Sequence, residues 1–283
     1  MMSDKDVKEY HKMVDKLTKE QKELDASYKQ SLVNKQEHTT KVQGLKKSNK
    51  YNYIRGKQLT DPGSGTRVYD IDNSRLPSVT TILGATKNTE FLKKWKAKVG
   101  EQEAERIKNH SSNRGTSMHK FLESYVEGVG YDDLTGIGQE AKPMAQKIIE
   151  KGLSNVTEYY GSEVTLFYPG LYAGSTDLVC NYKGLDTIID FKQSNRPKKE
   201  EWIEDYYLQI AAYCMAHDYV YKSNIRQGMI MVCTPDLFYQ EFGFTDHELR
   251  TWKHKFLKRL DMYHELMNDE KEKVAPMKEE DFK

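Results

Sequence analysis

The stretch Gly174-Ser175-Thr176-Asp177-Leu178-Val179-Cys180-Asn181-Tyr182-Lys183-Gly184-Leu185-Asp186-Thr187-Ile188-Ile189-Asp190-Phe191-Lys192 decides how this chain folds. Two runs rich in Val, Ile, Leu and Tyr are broken at Lys183-Gly184, the pattern of two strands joined by a tight turn. With a two-residue loop, Tyr182 pairs with Leu185 and Asp177 falls opposite Asp190, their Cβ atoms ~5 Å apart. A four-residue loop slides the pairing by two and keeps the face, whereas an odd-length loop separates the carboxylates. Lys192 lies two residues beyond Asp190 and projects from the same face. Two carboxylates and one ammonium therefore converge on one patch.

Like charges placed opposite each other destabilise a sheet, so the arrangement calls for a neutralising cation. Oxygen ligands suit Mg2+ or Mn2+ rather than Zn2+. Such an ion polarises a phosphoryl oxygen and activates water, while Lys192 orients the nucleophile or offsets developing negative charge. The bland reading is a surface ion-pair cluster. Against it, Asp190 ends the apolar run Leu185-Asp186-Thr187-Ile188-Ile189, and Gly174 leaves room for a ligand's backbone.

Outward from the hairpin, segments 163–168, 171–182 and 185–192 read as a three-stranded meander. A two-residue turn at Pro169-Gly170 pairs Glu163 with Thr176 and points it away from Asp177; a three-residue turn reverses that. A helix from about Lys199 to Asp218 carries Gln209 and Tyr213 one turn apart on an otherwise apolar stretch, where they could hydrogen-bond a phosphate or base. Strands at 225–234 and 238–244 and an amphipathic helix at 245–268 follow. Ahead of the meander, Phe91, Leu92, Trp95 and Val99 form one face of a helix ringed by Lys93, Lys94, Lys96 and Lys98. Helices are also expected at 112–127 and 138–151. The first of these bears His119, whose imidazole completes a metal shell if that helix packs across the meander, with Glu123 one turn along to orient it. These elements make an α/β core with helical additions.

The 283 residues suffice for one sizeable core, or for one domain plus an appendage, and the net charge of +1 leaves any attraction for polyanions to local patches. Cys180, Cys214 and Cys233 are scattered without CxxC pairing, against a disulfide framework or thiolate zinc site. No signal-peptide pattern is evident, and no apolar run approaches the ~18 residues of a membrane span, so a chain without membrane contact is expected. Residues 1–40 read as a charged helical arm. Its heptad positions Val7, Tyr10, Val14, Leu17, Leu24 and Tyr28, interrupted by Gln21, suit packing on the body, self-association or a protein partner, the alternative being a solvated charged arm. Residues 41–75 read as a basic linker and lead-in, whose basic residues around Tyr51 and Tyr53 also suit nucleic acid, phosphates meeting the cations and bases stacking on the rings. Residues 76–268 form the main domain and 269–283 a flexible tail.

Taken in order, His119, Gly174-Ser175-Thr176-Asp177, Asp190-Phe191-Lys192 and Gln209-x-x-x-Tyr213 resemble the PD-(D/E)XK nuclease superfamily, in its RecB-like branch with a trailing QxxxY. The run Leu76 to Leu83 followed by Phe91 to Lys96 is similar to the mitochondrial genome maintenance exonucleases and their phage relatives. The resemblance covers about Leu76 to Leu260. It implies a central mixed sheet flanked by helices and a metal-dependent DNA exonuclease acting on single-stranded ends or flaps with Mg2+ or Mn2+. Asp177, Asp190 and Lys192 match the catalytic positions. His119, Asp177, Asp190, the Phe191 backbone carbonyl and Glu163 are the implied metal ligands. Gln209, Tyr213, Gln193, Lys94 and Lys96 are the implied DNA contacts. Two departures are visible: Gln193 stands where a small hydroxyl residue often follows the lysine, and the glutamate upstream of the GxxD motif does not align cleanly with Glu163. Other members of the superfamily resect duplex ends for recombination, and an inactive DNA-binding scaffold is the reading outside catalysis. The acidic arm is unlike a mitochondrial transit peptide, so the cytoplasm of a bacterium or phage-infected cell is expected.

Overall fold

The computed structural model describes residues 44–274 except 55 and 72, with side chains through Asp269. The arm of residues 1–40 and the tail from 275 on lie outside the described residues. A five-stranded sheet runs β4 (Val156–Tyr168), β5 (Tyr172–Tyr182), β6 (Leu185–Gln193), β7 (Gln227–Cys233) and β8 (Tyr239–Thr245) in that spatial order. Lys183 (φ 51°) and Gly184 (φ 87°) both adopt the left-handed conformation that a two-residue hairpin turn requires. The ladder accordingly runs from Tyr182↔Leu185 to Leu178↔Ile189. One step further along that register stand Asp177 and Asp190.

β6 and β7 are parallel, which a crossover must allow, and helix α5 (Glu204–Tyr221) supplies it. This helix is buried nearly all round because it lies between the sheet and the terminal helix α6 (Asp246–Val274). The opposite face of the sheet packs on α3 (Glu101–Glu127) and α4 (Gly136–Lys151), through Met118, Leu122, Met144 and Ile148. Val179 and Ile188 belong to the core under α5, whereas Leu178 and Ile189 belong to the other core. By the two-residue alternation of a strand, Asp177, Asp190 and Lys192 share the face of Val179 and Ile188.

Residues 41–75 are not a plain linker. They contain β1 (Lys57–Thr60) and β2 (Arg67–Ile71), which with β3 (Ser74–Pro77) form an antiparallel meander buried through Tyr69, Ile71 and Leu76 against Phe167 and Ala173. The turn residues Asp61-Pro62-Gly63 are its hairpin punctuation: the Asp61 carboxylate accepts from the amides of Gly63 and Ser64 at 3.1 and 2.9 Å. Tyr51 and Tyr53 pack against His217 and Tyr221, so these rings are spent on the core and not left open to stack on bases.

Other boundaries shift. The first strand of the large sheet starts at Val156, the helix bearing His119 starts at Glu101, and α6 continues through 269–274, which the sequence assigns to a tail. Ser78 caps the short helix α1 (Val79–Ala85), its hydroxyl accepting from the Thr81 amide at 2.9 Å. Helix α2 (Glu90–Val99) forms, but its apolar stripe has no core to meet: none of its residues is buried and Phe91 is 83% exposed.

Candidate active site

The hairpin, α3, α5 and the small meander enclose a cleft of about 570 Å3. Asp177 projects from β5 and is locked twice. Its Oδ2 accepts the Phe191 backbone N–H at 2.5 Å, and its Oδ1 lies 3.1 Å from Nδ1 of His119. Helix α3 does pack across the meander, and this is what brings His119 in. The Glu163 carboxylate joins from β4. The turn after Tyr168 is three residues long, since Tyr168 pairs with Tyr172, and this places Glu163 in register with Asp177. Glu163 takes φ 48°, a backbone state costly for a residue with a side chain and found mostly where surrounding structure enforces it. Ser175 Oγ donates to its Oε2 at 3.2 Å. One ligand atom each from His119, Glu163 and Asp177 lies within 4.8 Å of the others.

Asp190 stands beside this cluster on β6. Its Oδ2 is in contact with the Lys192 ammonium, and its Oδ1 accepts from Gln209 Nε2 at 3.3 Å. Gln209 also donates to the Tyr213 hydroxyl at 3.1 Å, so the pair on α5 is buried and turned on the carboxylate. The space at Gly174 is taken by Tyr213: a Cβ there would meet the ring at 2.5 Å, so the glycine admits a tyrosine rather than a ligand's backbone.

Crowded carboxylates deform one another's titration. Burial first, then the Asp177 charge, raises Glu163 to about 7. Burial raises Asp190 to about 6 with Asp177 adding to the rise, although Lys192 opposes both. Burial also works against charge on Asp177, but His119 and Lys192 outweigh it and hold that carboxyl below the usual range. At His119 burial favours the neutral ring, yet Asp177 overcomes it and lifts the imidazole to about 9. Lys192 is lifted likewise, Asp190 and Asp177 overcoming desolvation. The residues fit a hard divalent cation: two carboxylates and an imidazole converge, and burial that raises Glu163 and Asp190 would be relieved by a positive charge placed between them.

Gln193 lines the cleft but is engaged within the protein. Its Oε1 accepts from Arg114 at 2.8 and 3.2 Å and its Nε2 donates to the Ser111 carbonyl at 2.9 Å. The Phe191 amide points to Asp177; the carbonyl of an extended residue leaves the same edge of the strand. Lys94 and Lys96 lie on α2 and do not line the cleft. Glu123 does line it, without a hydrogen bond to His119, and burial raises its carboxyl. Sequence reasoning missed Arg67 and Tyr69, which line the cleft from the small meander. The alternation Arg67-Val68-Tyr69-Asp70-Ile71 was the signal available. It also missed Arg114, only 4% exposed and bonded to Gln193, to Asn195 and, at 3.2 Å, to Glu140.

A mixed sheet flanked by helices, with carboxylates gathered from β4, β5 and β6, gives the chain its resemblance to PD-(D/E)XK-like nucleases. The chain is 32% identical over 225 residues to mitochondrial genome maintenance exonuclease 1 of Mus musculus, covering 74% of this chain and 65% of that protein. The protein of the same name from Xenopus tropicalis is 30% identical over 220 residues, covering 71% and 60%. The chain thus spans a little under two thirds of the length of these relatives. No family model matches it. An alkaline exonuclease from Laribacter hongkongensis overlaps 56% of this chain and 86% of its own at 16% identity and a TM-score of 0.28, too slight a likeness to carry an argument. No helix among the described residues is long and apolar enough to cross a membrane.

Proposed function

We infer that the chain is a divalent-metal-dependent DNA exonuclease, hydrolysing phosphodiester bonds from single-stranded ends or flaps with Mg2+ or Mn2+. The observation that carries this reading is the convergence of His119, Glu163 and Asp177 beside the Asp190–Lys192 pair. The relatives named as exonucleases support it.

His119, Glu163 and Asp177 would hold the ion, with Asp190 and the Phe191 carbonyl adjoining from β6. When bound, the ion polarises a phosphoryl oxygen and makes nearby water more acidic. The Phe191 amide and His119 fix the Asp177 carboxylate in one orientation, so little reorganisation is needed as substrate arrives. Lys192 presents a half-buried ammonium to the face where negative charge builds on the phosphate, and Asp190 keeps it there. Gln209 and Tyr213 act one layer back by holding Asp190. Their contribution to DNA is therefore indirect.

The test is digestion of oligonucleotides labelled at the 5′ or the 3′ end, single-stranded, flapped and blunt duplex, with Mg2+ or Mn2+. Cleavage of single strands that collapses in Lys192→Ala is expected. Equal digestion by wild type and that variant would defeat the site assignment, and a strong preference for blunt duplex would move the substrate to resected ends.

A further inference from the structure

The cleft is lined by four carboxylates, those of Glu123, Glu163, Asp177 and Asp190, so a polyanion entering it needs cations that are not already committed. Lys192 is held by Asp190, and Arg114 by Glu140, Gln193 and Asn195. Two lining cations remain, Arg67 on β2 and Lys120 on α3. Both are exposed, and among the described residues neither makes a salt bridge: Arg67 faces the uncharged Tyr69 hydroxyl, and Lys120 feels Glu123 and Asp133 only from a distance. They rise from different walls, one on the small meander and one on the helix that carries His119.

Arg67 has a firm base. Its backbone carbonyl accepts from the Ser78 amide at 3.1 Å and from Thr81 Oγ1 at 3.0 Å, and its strand pairs it with Thr60. It also lines a second trough of about 870 Å3, between Ser64 and Thr66 on one side and Tyr263 and Met267 on the other. Arg67 and Thr80 are common to both cavities, so Arg67 stands where the two meet. A planar fork of donors at such a junction matches a phosphodiester better than a lone ammonium does.

We propose that Arg67 and Lys120 hold phosphates of the substrate strand on the two walls of the cleft, Arg67 marking the point where the strand passes into the second trough. The proposal rests on the nucleic-acid reading above and deepens it. Backbone phosphate contacts position a strand without reading its sequence, so both residues act on binding and register, leaving the bond-breaking groups untouched.

The test is fluorescence anisotropy of a labelled oligothymidylate with full-length protein in Ca2+ over a range of NaCl, alongside digestion in Mg2+. Arg67→Ala and Lys120→Ala should each weaken binding several-fold. Each should also reduce the slope of log K against log salt by ~0.7, the share of one phosphate contact on a single strand. Arg67→Lys should keep the slope. Digestion should show a raised KM with kcat nearly unchanged. Arg75→Ala, a cation on β3 outside the cleft, should match wild type. Because Arg67 is anchored through its carbonyl, its side chain can be removed without cutting the meander's ties to α1, and an unchanged melting temperature confirms this for each variant. Unaltered affinity and salt slope in Arg67→Ala would overturn the proposal, as would an equal loss in Arg75→Ala. If wild type binds with the expected slope change but cleaves nothing, the contacts stand and the nuclease reading falls. Cleavage with an unchanged slope gives the converse.

Discussion

Two inward-facing histidines on helices, His119 and His217, meet opposite fates. Burial favours the neutral ring at both. His119 faces the Asp177 carboxylate at 3.1 Å, which overrides burial and lifts the ring to about 9. His217 lies among Tyr51, Tyr53 and Tyr221, with the Tyr53 hydroxyl 3.0 Å from Nε2 and Ser223 Oγ 2.7 Å from Nδ1. Burial there wins and pushes the ring down to about 4, although Asp218 and Asp186 pull the other way from a distance. One region concentrates charge and holds it for use; the other excludes charge and fastens the segment before β1 to the core. A histidine's role follows from whether a carboxylate bonds it directly, which a helical position alone does not reveal.

The sharpest break between the two regions should come in catalysis. Lys192→Ala or Asp177→Asn should lower the rate of oligonucleotide hydrolysis by ~10²-fold or more with the fold retained. His217→Phe should leave kcat close to wild type. Comparable losses of kcat in the two regions would erase the distinction.

Stability against pH comes next. The unfolded chain titrates His217 near 6.5 and the folded protein near 4, so the unfolded state takes up the proton first. The stability this burial provides is fully present above pH ~6.5 and is lost as pH falls toward 4, in all about 3 kcal/mol. Urea unfolding at neutral and acid pH should show a smaller acid loss in His217→Phe than in wild type. Equal losses would mean that His217 does not titrate as its pocket implies.

Smaller effects refine the picture. In Gly174→Ala the new Cβ drives the Tyr213 ring out of place, which should cost ~1–3 kcal/mol of stability and loosen Gln209 from Asp190. Both thermal unfolding and kcat should fall together. Tyr53→Phe removes the hydroxyl facing His217 and should cost ~1 kcal/mol with activity unchanged. A change in kcat would mean that the two regions communicate.

The hairpin was legible because parity is all that mattered there. Lys183-Gly184 admits an even-length turn, and every side-chain direction follows from it. Glu163 was not legible because Pro169-Gly170 accommodates either parity, and only the three-residue turn, with Glu163 itself in a left-handed conformation, settles its side. The small meander escaped notice for a different reason. Its strands are four or five residues long and partly polar, so their period is weak, and their burial comes from Phe167 and Ala173 far along the chain. The apolar face of α2 misleads in the opposite sense: periodicity announces a face to be buried, but nothing in a helix's own sequence says that a partner is present. The carboxylate cluster was thus readable in Asp177, Asp190 and Lys192, while the wall bearing Arg67 was not.

The central claim is that His119, Glu163 and Asp177 are gathered to bind a divalent cation. Calorimetric titration of Mn2+ into wild-type protein and Asp177→Asn tests it directly. Wild type should bind Mn2+ at a site that Asp177→Asn weakens by more than the ~10–100-fold that loss of a mere outer-shell partner costs. Equal Mn2+ affinity in the two proteins would contradict it.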